Sequence, residues 1–445
     1  MMPTSIPAGA ALPARPARGW PGQGAMKAIK PTAIGLFAAA TGGACVFTTN
    51  VIGQAYYGEL LLPVVALCAG LMHGERRSSA ERMFWRLLIA CAVSLFGFVL
   101  SDMIRGSNPQ DYLRGWGRII LVASDFVCLS VLASQDRRNL WWFVAGFGII
   151  GVLYLRLAFH LPLALWKFDE NHDRGYGLYM VMACAALAYL IPTRLAALGF
   201  VFLAYKSFFF DYRSLAAICT AIAVILWVRR NEGRQWKISR QVTRQNVQRI
   251  AAVGALAALA VYAGLQLNNA SFQERRESSD MGRQFMWHWG ISAALRSPII
   301  GYGSWAQSQE ILDLQSQISD KDFGGSAGVF VNGNAGGIHS EILGSWVEGG
   351  ILGAGFFIYL GFVLARNFTK GCLYRRLDAL SPIIMFAWMN NGFDLFIAPV
   401  GAPSRIFAGM AAAAVVIVAQ ERTAARRTAR AALRAAPPQM AMRRM

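Results

Sequence analysis

The sequence predicts an all-α, polytopic integral membrane protein with about twelve transmembrane helices. Three observations carry that prediction. Hydrophobic residues make up 55% of the chain and charged residues only 15%, less charge than the surface of a soluble fold this size would expose. The apolar residues fall into runs, among them 87–100, 141–157 and 350–364. With their weakly polar flanks these reach the roughly 17–25 residues that cross a hydrocarbon core as helix. Most of the Lys and Arg sit in alternate loops between such runs, as the positive-inside rule requires. The short alternating segments of a membrane β-barrel are missing.

The elements follow in order. Residues 1–31 are rich in Ala, Pro, Gly and Arg, with no apolar run before Ile34, and read as a disordered, basic cytoplasmic tail without a signal-peptide cleavage site. Nine expected spans fill 32–267, at 32–50, 57–73, 84–104, 115–134, 140–162, 177–193, 195–210, 214–229 and 250–267. A large loop, 268–340, follows on the far side. It contains a helical pattern over 284–295 and a Gly/Asn/Ser-rich stretch over 324–337 that reads as a mobile loop. Three more spans are expected within 341–420, at 341–365, 378–398 and 404–420, before a basic Ala/Arg-rich tail over 421–445 at the inner leaflet. A second far-side loop, 163–176, is acidic, with Asp169, Glu170, His172 and Asp173.

The net charge of +19 would suggest nucleic acid in a soluble protein. Here topology accounts for it. With both termini cytoplasmic, Arg76, Arg77, Arg82, Arg137, Arg138, Arg194, the dense run 229–249, Arg366, Lys370, Arg375 and Arg376 all fall on one side. Inverting the chain would put roughly two thirds of the positive charge outside. The seven cysteines are scattered, mostly inside apolar runs, and form no CxxC pair. They read as small core residues, with neither a disulfide framework nor a metal site. No inverted or parallel repeat relates the halves, which weighs against common transporter folds.

Ionisable groups near membrane depth are costly and therefore functional suspects. One cluster is the tight turn between the seventh and eighth spans, with Lys206, Asp211, Tyr212 and Arg213. Lys206 can simply snorkel to the interface, and Arg213 can pair with Asp211. Alternatively, the Arg213 guanidinium can bind a phosphate in bidentate fashion. A second cluster runs through Arg283, Trp287 and His288 to Arg296, Pro298, Gly301 and Gly303. A third holds His339 and Ser340 at a loop-to-membrane junction, then Glu348, Gly349, Gly350 and Gly353 in the tenth span. A lone histidine is more often structural than catalytic. Asp125, Arg156 and the stretch Asn390, Asn391, Asp394 read first as interhelical hydrogen-bonding groups; His160 and His172 serve as controls.

Taken in order, Arg283 with Trp287, the Pro298/Gly301/Gly303 stretch, His339, and a helix with Glu348, Gly350 and Gly353 resemble the signature of the O-antigen ligase and polymerase superfamily. That signature also has a Ser-Arg-Gly turn between two spans, which residues 211–214 match in Arg213 only. Tyr212 stands where Ser is usual, and Ser340 where Asn is usual after the histidine. The resemblance implies an enzyme taking a glycan linked through diphosphate to undecaprenol and transferring it to an acceptor hydroxyl at the periplasmic face of a Gram-negative inner membrane. It assigns catalytic work to His339, Arg283 and Arg213, and substrate contacts to Lys206, Tyr212, Trp287, His288, Ser340 and Glu348. Glu348 is the deepest of these and can instead orient a cation or fix helix packing.

The chemistry expected of such residues agrees. Arginines at interface depth neutralise a diphosphate as it leaves, and a histidine with an ordinary pKa near 6.5 accepts the acceptor's proton. Diphosphate is already a good leaving group, and no ligand cluster for a metal stands out, so the expectation is an inverting transfer with neither metal nor other cofactor. An O-antigen ligase, with lipid A-core as acceptor, is favoured over a polymerase, which uses another lipid-linked repeat. A transporter or flippase for the same lipid-linked glycan is the rival of a different class.

Overall fold

The computed structural model describes residues 32–49, 55–73, 81–157, 175–188, 190–210, 212–228, 270–305, 307–331, 333, 338–368, 372, 380–397 and 402–435. The expected tail 1–31, the ninth span, the run 229–249, Asp211, His160, nearly all of the acidic loop 163–176 and residues 334–337 lie outside them. So do residues 436–445 of the expected C-terminal tail.

Fourteen α-helices are described: α1 (Ala33–Ala44), α2 (Tyr57–His73), α3 (Glu81–Arg105), α4 (Pro109–Gln135), α5 (Arg137–Leu157), α6 (Tyr176–Leu187), α7 (Thr193–Phe209), α8 (Arg213–Val228), α9 (Ala270–Arg296), α10 (Gln309–Phe323), α11 (Glu341–Gly353), α12 (Gly355–Phe368), α13 (Ser381–Phe396) and α14 (Ala402–Ala435). A two-residue antiparallel ribbon, β1 (Thr48–Thr49) and β2 (Ala55–Tyr56), is the sole strand pairing among the described residues. The starts of several helices are written locally. Thr32 accepts from the Gly35 N–H (3.0 Å) ahead of α1, Asn108 precedes a proline at the head of α4, and Ser308 accepts from the Ile311 N–H (3.2 Å) ahead of α10.

Every expected span within the described residues contains helix, but the lengths are uneven, and the one over 32–50 is helical only over Ala33–Ala44 and runs on into β1. Helices α3, α4, α5 and the first part of α14 are long and apolar enough to cross a membrane. Helices α1 and α6, with 12 residues each, extend only about 18 Å at 1.5 Å per residue, short of the roughly 30 Å hydrocarbon core. Large apolar side chains face outward along many helices, among them Leu36, Phe37, Leu67, Leu71, Phe96, Phe202 and Phe362. In water that surface would aggregate; in lipid it is solvated. The protein is therefore a multi-pass membrane protein.

Backbones approach closely where small residues permit. Between α1 and α5, a Cβ at Gly42 would fall 1.9 Å from the Phe143 carbonyl oxygen, and one at Gly146 would fall 1.9 Å from that of Ala39.

The expected tenth span is not one straight helix. It is broken into α11 and α12, which meet at 107°. Gly350, at φ 67° and ψ −171°, departs from helical geometry in a region open essentially to glycine. A break within an apolar helix frees backbone groups that lipid would not satisfy, and neighbouring protein takes them up. The segment after α9 pairs with it: the Tyr302 N–H donates to the Val347 carbonyl (2.8 Å), Gly303 N–H to Glu348 (2.9 Å), and Ile351 N–H to Pro298 (2.9 Å). Helix α3 contributes hydroxyls. Ser101 donates to the Glu348 carbonyl at 2.8 Å, while Ser94 donates to the Gly353 carbonyl and accepts from the Phe356 N–H at 3.1 Å.

The described part of the expected far-side loop is largely helical. The helix expected over 284–295 is the last part of α9, which is 27 residues long. The glycine-rich stretch begins with Gly324 in a left-handed cap closing α10, then a short 3-10 turn, Gly328–Phe330. Helices α9 and α10 share a second core with the start of α11, built on Phe285, Trp289, Ile311, Leu314, Ile338 and Val347.

Candidate functional site

The three sequence clusters converge. On α9, successive residues turn by 100°, so Asp280, Arg283 and Trp287 share a face about 60° wide. Phe285, Trp289 and Ala293 occupy a different face and anchor the helix in the second core. Arg283 Nη1 donates to Asp280 Oδ1 at 3.1 Å. The same carboxylate oxygen lies 3.8 Å from Nη1 of Arg213, the first residue of α8. One carboxylate thus stands between the two predicted arginines. The expected alternative partner of Arg213, Asp211, lies outside the described residues.

His339 is held between two buried anchors. Ile338 is in the second core, and Ser340 caps α11 by accepting from the Leu343 N–H (3.2 Å) while its hydroxyl donates to the Leu395 carbonyl (2.7 Å). The Ser340 N–H also donates to the Ile338 carbonyl at 2.8 Å, a three-residue turn with His339 at its apex. The imidazole is half-buried. Burial, and secondly the positive charge of Arg283, hold its pKa below the ordinary histidine value, which favours the neutral imidazole.

The other predicted residues divide. Tyr212 begins the turn into α8, its N–H donating to the Ser207 carbonyl at 2.7 Å. Burial and the Asp394 carboxylate push its phenol well above the usual range. Lys206 is half-buried one turn away, its ammonium 5.6 Å from the centre of the Phe210 ring. Trp287 lies beside Arg283 on the helix face and is half-buried. His288 points elsewhere: its Nδ1 is 3.6 Å from Asp322 on α10 and its ring meets Phe323 edge-on. Ser340 is committed to its cap. The buried Glu348 carboxylate pairs with Arg118 of α4 and accepts from the Trp305 N–H at 3.4 Å, a packing role for this residue.

Several neighbours were not picked out by sequence. Asp280 lies just before the helical pattern that begins at 284, although it is three residues from Arg283, the spacing that makes helix neighbours. Arg118 lies in an apolar span and meets Glu348 only through tertiary packing. Asp102 accepts from the Ser304 N–H (2.6 Å), the Ser304 hydroxyl (2.7 Å) and Trp116 Nε1 (2.8 Å), tying the segment after α9 to α3. Glu341 lies within electrostatic reach of Asp394, and one of its oxygens and both polar atoms of Asn391 have no hydrogen-bond partner among the described residues. Asp394 thereby joins the surroundings of the site, whereas Asp125 belongs with Glu59 and Arg405 in a separate cluster. Among the described residues no group of three His, Cys, Asp or Glu side chains is placed to hold a metal.

Fold and site together define a multi-pass helical membrane protein in which Arg213 and Arg283 face one Asp280 carboxylate and His339 lies within electrostatic reach of Arg283. A protein-family model described as O-antigen ligase matches residues 179–358. The match supports the O-antigen ligase and polymerase superfamily, whose members are glycosyltransferase-like enzymes. It spans Arg213, Asp280, Arg283, His339 and Glu348, and leaves out Arg118 and Asp394 on either side. Neither a curated protein nor a solved structure matches the chain.

Proposed function

We propose that the protein is an O-antigen ligase of the bacterial inner membrane. It takes a polysaccharide from undecaprenyl diphosphate and transfers it to a hydroxyl of lipid A-core at the periplasmic face. The observation that carries this reading is the convergence of Arg213 and Arg283 on one anionic point, with His339 within electrostatic reach of Arg283.

In this reading the acceptor hydroxyl oxygen attacks the anomeric carbon as that carbon's bond to the diphosphate oxygen breaks, with inversion. His339 takes the hydroxyl proton, help worth roughly 10²–10⁴ in rate. Arg213 and Arg283 offset the charge that develops on undecaprenyl diphosphate as it leaves. Lys206, Tyr212 and Trp287 line the approach of the donor. Ser340 and Glu348 act by holding α11 in place, and His288 lies at the edge. Diphosphate leaves readily, so the step needs no metal. The corresponding topology has about twelve spans with both termini cytoplasmic, which puts this site at the far face.

The test is a lipopolysaccharide gel from a deletion strain complemented with wild type or His339→Ala. The reading expects an O-antigen-free pattern, glycan accumulating on the lipid carrier, and rescue by wild type only. A core bearing a single repeat would make the protein a polymerase. An unchanged ladder would refute both, and full rescue by His339→Ala would leave a transporter as the better account.

A further inference from the structure

The two arginines are not vacant in the free protein: Asp280 lies between them. Its Oδ1 is 3.1 Å from Arg283 Nη1 and 3.8 Å from Arg213 Nη1. Asp280 carries one negative charge where the proposed donor would bring a diphosphate. We propose that Asp280 is an internal counter-anion, a placeholder that occupies the diphosphate subsite in the free protein and is displaced when the donor binds. The inference rests on the ligase reading above and goes beyond it, because it assigns a function to a carboxylate within an anion site.

Three features support displacement over permanent structure. The Asp280 side chain is 40% exposed, with Arg283 at 39% and Arg213 at 27%, so water screens these pairs and they are individually weak. In the contacts among the described residues, one Asp280 oxygen faces both arginines, at hydrogen-bonding distance from Arg283 and beyond it from Arg213. A diphosphate offers more oxygens and more charge, and can engage each guanidinium through two bonds. The bridge also solves a problem of the empty site. The two guanidinia repel, and a carboxylate between them offsets part of that repulsion.

Two consequences oppose each other, and charge decides the sign. Asp280 helps orient the arginines, but it also competes with any incoming anion. Since Asp280 is joined to Arg283 through a single helical turn, the arginines remain on α8 and α9 without it. Removing its charge should therefore strengthen anion binding.

The experiment uses the full-length protein in nanodiscs and inorganic pyrophosphate as probe, with Kd measured calorimetrically. Wild type, Asp280→Asn, Asp280→Ser and Arg283→Ala are compared, together with the double variant Asp280→Asn/Arg283→Ala. Asp280→Asn should bind pyrophosphate about threefold to tenfold more tightly than wild type, with a flatter dependence on competing chloride. The Ser variant should behave alike, which guards against Asn remaining as a hydrogen-bonding stand-in. Arg283→Ala should weaken binding, and the double variant should lose most of the gain. If both Asp280 variants bind equally or more weakly while Arg283→Ala still weakens binding, the placeholder is refuted and the anion site stands. If no variant binds pyrophosphate and Arg283→Ala transfers glycan normally, the diphosphate site itself is wrong, and the placeholder falls with it.

Discussion

The sharpest structural prediction concerns Gly350, where α11 breaks. An alanine there must adopt φ 67° and ψ −171°, a region that costs an L-residue about 1–3 kcal/mol. Its Cβ would also fall 1.8 Å from the Ile299 carbonyl oxygen and 2.4 Å from the Ile299 carbonyl carbon. Both are backbone atoms, so no side chain can rotate aside. The segment at residues 298–303 must retreat by more than an ångström, which breaks the hydrogen bonds from Tyr302, Gly303 and Ile351 across the gap. Three such bonds at about 1 kcal/mol each, added to the backbone strain, put the cost of Gly350→Ala near 4–6 kcal/mol. The assay is thermal unfolding of the detergent-purified protein together with glycan transfer. Gly350→Ala should melt about 5 °C lower or fail to accumulate. Gly117→Ala is the control: nothing lies within 4 Å of its Cβ, and alanine favours helix by up to about 1 kcal/mol. A Gly350→Ala protein that melts with wild type and retains transfer would show that the broken helix is not required.

Two further predictions concern charge. If neutral His339 is the base, kcat/KM should rise with pH through its lowered pKa and then level off, so the plateau starts below the pH expected of an ordinary histidine. Arg283→Gln removes a positive neighbour that disfavours protonation, so the limb should move to higher pH; movement to lower pH would refute the electrostatic coupling. The buried Arg118–Glu348 pair should behave as a unit. Arg118→Met or Glu348→Gln alone leaves a buried partner uncompensated, at about 3–5 kcal/mol for a remaining charge, while the double variant should cost clearly less than the sum. Additive losses in a double-mutant cycle of unfolding free energies would remove the pair from the account of the kink.

How much of this was legible beforehand follows from the range of each interaction. Hydrophobic run length is a local property, so the sequence determined the helical membrane class and the approximate place of most described helices, though not α10 or the first half of α9. The spaced glycines marked the segment that breaks at Gly350, because a residue without a side chain is informative wherever it occurs. Partners were not legible. Asp280 is unremarkable until α8 and α9 meet, and Arg118 and Glu348 are 230 residues apart. The bend at Gly350 was also invisible to hydropathy, because residues 341–365 are apolar enough for one uninterrupted span. Only the tertiary structure decided that the span breaks, since the break is stabilised by carbonyls and hydroxyls that other parts of the chain bring to it. The kind of protein was thus written in local pattern, while the pairing of its charges came from distant residues that only the fold brings within hydrogen-bonding reach.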